Sequence, residues 1–332
     1  MPCARPTLGE VGEEGVLREV FAALRDQGTE GVLVGAGDDT ALLAVRRGAV
    51  LATTDTMVRG TDWRDDWSTA GDVGGKVVTQ NLADLAAMGG AGTGLLVTLL
   101  ADPGLSLAWA RGLTEGIARA AARTGVPVLG GDLGSAGPGV VVVSVTALGE
   151  LGEGVQAPVL RSGARAGDVV AVSGPLGRSG TGLELLRRGV LDGPLVEHHR
   201  RPVTDLAQGP AAARAGATAM IDVSDGLLRD ADRLARASGA VLEVDEAAVL
   251  ALVDLLAAQL GGATLGRGEL LDGVLSGGEE HELLATFPPG ALPPGWVRLG
   301  RVVDPAPDGR PGVRWRGRVV DPRQGGWDHF GG

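Results

Sequence analysis

Residues 220–226 read Met220-Ile221-Asp222-Val223-Ser224-Asp225-Gly226, a stretch that begins as a buried strand and ends in two carboxylates and a hydroxyl. Alternation keeps Asp222 and Ser224 on one face only while the strand lasts, and Gly226 then breaks it. Two carboxylates about 4 Å apart repel by about 4 kcal/mol even at an effective dielectric near 20. Acids crowded where a strand gives way to a helix, with no lysine beside them, call for a cation between them. In open sheets, ligands gather at such carboxyl ends of strands.

The pattern recurs along the chain. Gly35-Ala36-Gly37-Asp38-Asp39 places paired acids after a short apolar strand, Thr53-Thr54-Asp55-Thr56 does so with hydroxyls alongside, and Gly130-Gly131-Asp132 ends a third strand. Asn81 and Asp84, three apart, project from one face of a long helix. Any one of these is at home in a turn or a cap, and Asp225 is placed to cap the helix it precedes. Their repetition points instead to hard cations. Carboxylates and hydroxyls without His or Cys suit Mg²⁺, which uses few carboxylates, waters and substrate phosphates.

Around these motifs the spacing predicts helices over 14–26, from a cap at Ser68 or Thr69 to Met88, over 106–124 closed by Gly125, and over 179–188. Further helices are expected over about 204–215, 226–238 and 247–260. Strands are expected at 49–54, 94–100, 126–132, 140–150, 168–174 and 220–222, with others near Val297 and Val313. Mixed strands and helices in two successive halves imply two α+β layers. The turn-rich segment from Leu151 to about Arg165 is the expected boundary, between a domain of residues 1–150 and one of residues 151–332.

Composition narrows the classes. The 332 residues are 44% hydrophobic and 21% charged, as in an ordinary globular protein. The 57 glycines follow no collagen period and read as tight turns and close backbone approaches. The net charge is −11, and Lys76 is the one lysine. Such a surface disfavours nucleic acid and anionic membranes, but not phosphorylated ligands bridged by metal ions. The single cysteine, Cys3, leaves no disulfide or zinc cluster to consider. No apolar run approaches the ~18 residues of a membrane span, and the first residues lack a signal core, so a cytoplasmic protein is expected.

Familiar nucleotide motifs are missing. GGKVV around Lys76 lacks the earlier glycine and the Ser/Thr of a P-loop, and GAGDDT has only the first glycines of a dinucleotide fingerprint. GPLGRSGTG (174–182) is an anion-binding turn of low specificity. His198, His199, Arg200 and Arg201 read as a solvated basic patch, and the four histidines have no zinc spacing.

The motifs GAGDDTALL, TTDTMVRGTDW, DVGGKVVTQNLADLAAMGG, VLGGD, RSGARAGDVVAVSGPLGRSGTG, MIDVSDGLLRD, LSGGEEHEL and GWDHF stand in an order that resembles the thiamine-monophosphate kinase family, over about residues 14–330. The resemblance implies an α+β fold of two domains like those of aminoimidazole ribonucleotide synthetase, with the N-terminal domain forming the barrel of a homodimer. It implies transfer of the ATP γ-phosphoryl group to thiamine monophosphate with several Mg²⁺ ions. By motif, Asp39, Thr53, Thr54, Asp55, Asp84, Asp132, Asp222 and Asp225 resemble the family's Mg²⁺ ligands. Gly131, Asp132, Arg161 and Ser224 resemble its ATP contacts, and Asp62, Glu279 and Trp327 its substrate positions. An indole suits a planar, cationic acceptor, and an arginine at 161 supplies a fork that lysine cannot copy. The resemblance implies direct in-line transfer, with no base or nucleophile assigned.

The chain departs from the family at Asp62, where a histidine is usual, at Glu280-His281 in place of Asp-Tyr, and at Leu133-Gly134 in place of two hydroxyl residues. Rival readings are a related ATP-dependent enzyme with another acceptor, or a nucleotide-binding sensor. The retained motif aspartates disfavour the sensor.

Overall fold

The computed structural model describes residues 6–35, 40–305, 309–321 and 325–326. The chain divides into two compact units, Met1–Leu85 with Gly92–Glu150, and Ala86–Ala91 with Leu151–Gly332.

In the first unit, helix α1 (Leu8–Ala23) opens on a capping box between Thr7 and Glu10 and kinks at Gly12 (φ 67°), so it starts earlier than its apolar spacing suggests. Two short antiparallel strands follow, β1 (Val32–Val34) and β2 (Leu42–Leu43). Then come β3 (Leu51–Val58), α2 (Ala70–Ala87), β4 (Gly90–Ala101), α3 (Leu107–Thr124), β5 (Val128–Ser135) and β6 (Val141–Leu151). The sheet runs β3-β6-β4-β5, with β3 antiparallel to β6 and β4 parallel to β5 across the α3 crossover. Thr69 and Asp72 exchange hydrogen bonds at the start of α2, as its N-terminal signal predicts. Ser106 caps α3 at one end and left-handed Gly125 closes it at the other.

α2 is buried on nearly every side, down to Lys76 (3% exposed) and Asn81 (0%). Its contact with α3 is backbone on backbone. A Cβ added at Gly74 would lie 2.3 Å from Leu113 O, and one at Gly116 would lie 2.3 Å from Gly71 O. Part of the glycine excess is therefore helix packing.

Two strands outrun their expected ends. β3 continues through Asp55 to Val58, and β5 through Asp132 to Ser135, so Asp55 and Asp132 lie within strands and not at their carboxyl ends. Both strands are sheet edges, where polar residues are tolerated because one side of the strand has no strand neighbour.

The second unit comprises β7 (Val169–Val172), α4 (Arg178–Arg187), α5 (Pro194–Arg200), α6 (Gln208–Arg214), β8 (Ala219–Asp222), α7 (Leu227–Ser238), β9 (Val241–Val244), α8 (Glu246–Ala258) and α9 (Arg267–Ser276). It ends in β10 (Leu283–Phe287), β11 (Val297–Val303), β12 (Gly312–Trp315) and β13 (Arg318–Val319). Its sheet has the order β13-β12-β9-β11-β7-β10-β8, in which Leu283 pairs with Asp222. Phe287 is fully buried and meets Trp296 edge-on at 5.0 Å beneath this sheet, with Met220 and Leu283 in the same cluster. α5, α9 and β9 have no counterpart in the sequence reading; α5 is a single short segment led by Pro194. Among the described residues no helix is long and apolar enough to cross a membrane.

Candidate functional site

In the first unit the acidic motifs of β3 and α2 meet. Thr53 Oγ1 donates to Asp84 Oδ2 at 2.6 Å, and the Asp55 amide donates to Asn81 Oδ1 at 3.1 Å. Asn81 is held by its own donation to Val77 O. The alternation that turns Thr53 and Asp55 toward α2 sends Thr54 to the other face of the sheet. There its hydroxyl donates to Val145 O and accepts from Thr146. Gly131 and Asp132 sit exposed on β5, at the opposite edge of the sheet from β3, roughly 14 Å away across three strand spacings. A Cβ at Gly131 would fall 1.7 Å from Val97 O, so a glycine is required for this strand to pair.

Asp62 accepts the Val58 amide at 2.6 Å and so braces the turn after β3. Asp39 and Trp327 lie outside the described residues.

In the second unit β8 delivers Asp222, 3% exposed, and the chain turns through Ser224 and Asp225 into α7. Asp225 does not cap α7: the cap position is Gly226, and no side chain bonds there. Its carboxylate instead meets Arg233 at 2.6 Å. Arg233 also holds Asp230 at 2.6 Å, and Asp230 accepts the Asp225 amide. Burial, then the charge of Asp222, pushes the Asp230 carboxyl up to about 7. So one cation for the acidic turn comes from the protein, nearly two helical turns into α7. Asp230 was legible as an acid in the first turn of a helix among Leu227, Leu228 and Ala231.

The segment Glu279–Glu282 returns alongside this turn. The Glu279 amide donates to Ser224 O at 2.7 Å and the His281 amide to Val223 O at 2.9 Å. Both residues adopt left-handed backbone conformations, at φ 57° and 59°. His281 Nδ1 lies 3.3 Å from Asp222 Oδ2. Glu280, fully buried, contacts Arg178 Nε at 2.9 Å, the Ser179 amide at 3.0 Å and His198 Nε2 at 2.9 Å. Arg178 also reaches Glu282 at 2.8 Å.

The anion at the GPLGRSGTG turn is the protein's own Glu280, bound at the N-terminus of α4. His198 and His199 are not a solvated basic patch: they pack against Glu280 and Glu279, while Arg200 and Arg201 pair with Glu197.

The donor sets at Thr53–Asp55–Asp84 and at Asp222–Asp225 consist of carboxylate and hydroxyl oxygens, which fit a hard divalent cation. Among the described residues no group of three His, Cys, Asp or Glu side chains converges as a ready-made metal cage. Arg161 is exposed on the segment before β7, and its carbonyl accepts from Ser238. Among the described residues its guanidinium forms no ion pair.

Residues 37–151 match the family described as AIR synthase related protein, N-terminal domain, and residues 165–304 match AIR synthase related protein, C-terminal domain. The chain is similar to the thiamine-monophosphate kinase of Mycobacterium tuberculosis H37Rv, at 43% identity over 98% of this chain and 94% of the relative. It is similar to that of Corynebacterium glutamicum at 35% identity over 90% of this chain and 88% of the relative. Among solved structures, the thiamine-monophosphate kinase of Stenotrophomonas maltophilia K279a superposes with a TM-score of 0.75 at 29% identity, covering 92% of this chain and 96% of that one. AaThiL complexed with AMPPCP and TMP superposes with a TM-score of 0.72 at 28% identity, covering 99% and 100%.

Proposed function

The chain belongs to the thiamine-monophosphate kinase family, and from that membership we infer that it transfers the γ-phosphoryl group of ATP to thiamine monophosphate, releasing thiamine diphosphate and ADP. The observation that carries this reading is the β8–α7 turn. Glu279, the motif residue for the acceptor, donates its amide to Ser224, the motif residue for ATP, between Asp222 and Asp225. Motif residues for both substrates and for a cation thus meet at this turn. The relative complexed with AMPPCP and TMP supports the same pairing of donor and acceptor.

In this proposal Asp39, Thr53, Asp55, Asp84, Asp132, Asp222 and Asp225 hold Mg²⁺. With its hydroxyl committed to the other face of β3, Thr54 has only its carbonyl to offer. Bound Mg²⁺ supplies neutralising charge to the phosphate oxygens. The chain's own groups do the rest: Arg161 forks onto an ATP phosphate, and Glu279 and Trp327 are the residues for the cationic acceptor. The acceptor is already an anionic phosphate, so alignment suffices and no side chain need remove a proton.

A homodimer is part of the proposal. It is supported by the face of the β3-β6-β4-β5 sheet that leaves Val58, Leu96 and Leu100 each 38% exposed. A barrel formed with a second copy would cover that face. ATP as donor and a near-absence of cysteine fit the cytoplasm.

The test is ADP release with ATP and Mg²⁺, with and without thiamine monophosphate, following thiamine diphosphate by chromatography. Equal yields of both products are expected. ADP without thiamine diphosphate would assign another acceptor, and binding of ATP without ADP a sensing role.

A further inference from the structure

The GPLGRSGTG turn and the HHRR run belong to no assigned function, yet the fold brings them together around the Glu279–Glu280 pair. α4 and α5 pack tightly enough that a Cβ at Gly182 would lie 2.1 Å from Leu195 O and 2.9 Å from His199 Cβ. That closeness buries the His199 ring. Its Nδ1 lies 3.1 Å from Ser179 Oγ and 3.6 Å from Glu279 Oε2. The hydroxyl is the hydrogen-bond partner of Nδ1, and the carboxylate lies within ion-pair distance of the same nitrogen. Ser179 backs the ring from α4.

The neighbouring Glu280 is immobilised from three directions, by Arg178, the Ser179 amide and His198. Glu279 itself sits in a left-handed conformation that a non-glycine residue adopts only when its surroundings impose it. Its side chain remains 32% exposed.

We propose that His199 is a positioning residue for Glu279, fixing the direction in which that carboxylate faces the cationic ring system of the acceptor, with Ser179 as its backstop. This rests on the reading of Glu279 as an acceptor contact. Acceptor affinity is then set partly from α5.

The test is a double-mutant cycle in the full-length enzyme, with KM for thiamine monophosphate, KM for ATP and kcat measured for each protein. His199→Leu is expected to raise KM for thiamine monophosphate on the order of 5-fold, with kcat and KM for ATP within about 2-fold. His199→Asn, which can present an amide N–H near the place of Nδ1, is expected to stay within about 2-fold of wild type. In a Glu279→Gln background, His199→Leu should add less than about 2-fold. If His199→Leu does not fold, Ser179→Ala takes its place in the cycle.

An unchanged KM in His199→Leu overturns the proposal. So does a loss that recurs in full in the Glu279→Gln background, or one that raises both Michaelis constants alike. An unchanged KM in Glu279→Gln alone refutes the acceptor role of Glu279 and takes the proposal with it. A raised KM there, with additive losses, refutes only the proposal.

Discussion

Replacing Glu280 by glutamine tests how the second unit holds its strained segment. The carboxylate is fully buried, and burial alone would raise its pKa. The contact with His198, then the charge of Arg178 and the Ser179 amide, outweigh burial and hold it below the ordinary carboxylate range. Glutamine keeps the volume but sets an amide NH₂ among donors. Removing one partner from a buried ion pair costs about 3–5 kcal/mol. Arg178 retains Glu282 at 2.8 Å and is partly exposed, so the lower end, about 3 kcal/mol, is expected.

Urea unfolding followed by pulsed hydrogen exchange in β7 and β10 reads this unit directly. At a slope of about 2 kcal/mol per molar urea the midpoint falls by about 1.5 M. Because the folded-state pKa is depressed, the stabilisation is fully present above the unfolded carboxylate value, near 4.3, and is lost as pH falls through the folded value. The gap between wild type and Glu280→Gln should therefore be complete at neutral pH and narrow only in acid. A midpoint shift below about 0.3 M at pH 7, or a gap that widens in acid, would refute the reasoning.

Asp222→Asn is expected to lower kcat by on the order of 100-fold at fixed Mg²⁺ while circular dichroism stays unchanged. Near-normal turnover would remove Asp222 from the cation site. Chelation by EDTA should abolish wild-type turnover and added Mg²⁺ restore it; turnover that survives chelation argues against a metal requirement. Asp62→Asn keeps an oxygen for the Val58 amide but removes a charge that would repel an acceptor phosphate bound beside it. KM for thiamine monophosphate should then fall several-fold, and a constant KM would show that position 62 does not face the acceptor. Gly74→Ala places a methyl 2.3 Å from Leu113 O, so thermal unfolding should show a loss of roughly 2–3 kcal/mol in the first unit. A change under 0.5 kcal/mol would mean that α2 and α3 separate easily.

Much of the frame was legible because its signals are local. The Thr69–Asp72 start of α2, the Ser106 and Gly125 ends of α3, and the break at Gly226 each depend on residues within one turn. β3 and β5 were read too short because an aspartate inside a strand runs against β propensity. As sheet edges both strands carry it at little cost, and edge position follows from the whole topology. The roles of His198 and His199 were hidden for a related reason. Their partners Glu280 and Glu279 lie some eighty positions further on and become neighbours only when α5 packs on α4 beside the returning chain. A run of four basic residues looks solvated when its counter-charges are that distant in sequence.

The same contacts bear on how two polyanions are gathered by a protein of net charge −11. A glycine-rich turn entering a helix is a natural phosphate cradle, and residues 174–182 have that form. The structure gives the N-terminus of α4 to Glu280, whose carboxylate accepts the Ser179 amide at 3.0 Å. Arg178, beside it, is spent on Glu280 and Glu282, and Arg233 on Asp225 and Asp230. On the proposed function, phosphate would then fall to other arginines, Arg161 among them, and to cations at the carboxylates. On the same reading, a kinase with neither a P-loop lysine nor a vacant helix N-terminus at this turn would draw its substrates together through metal ions, and the acids at residues 222–225 would gain their use from that division.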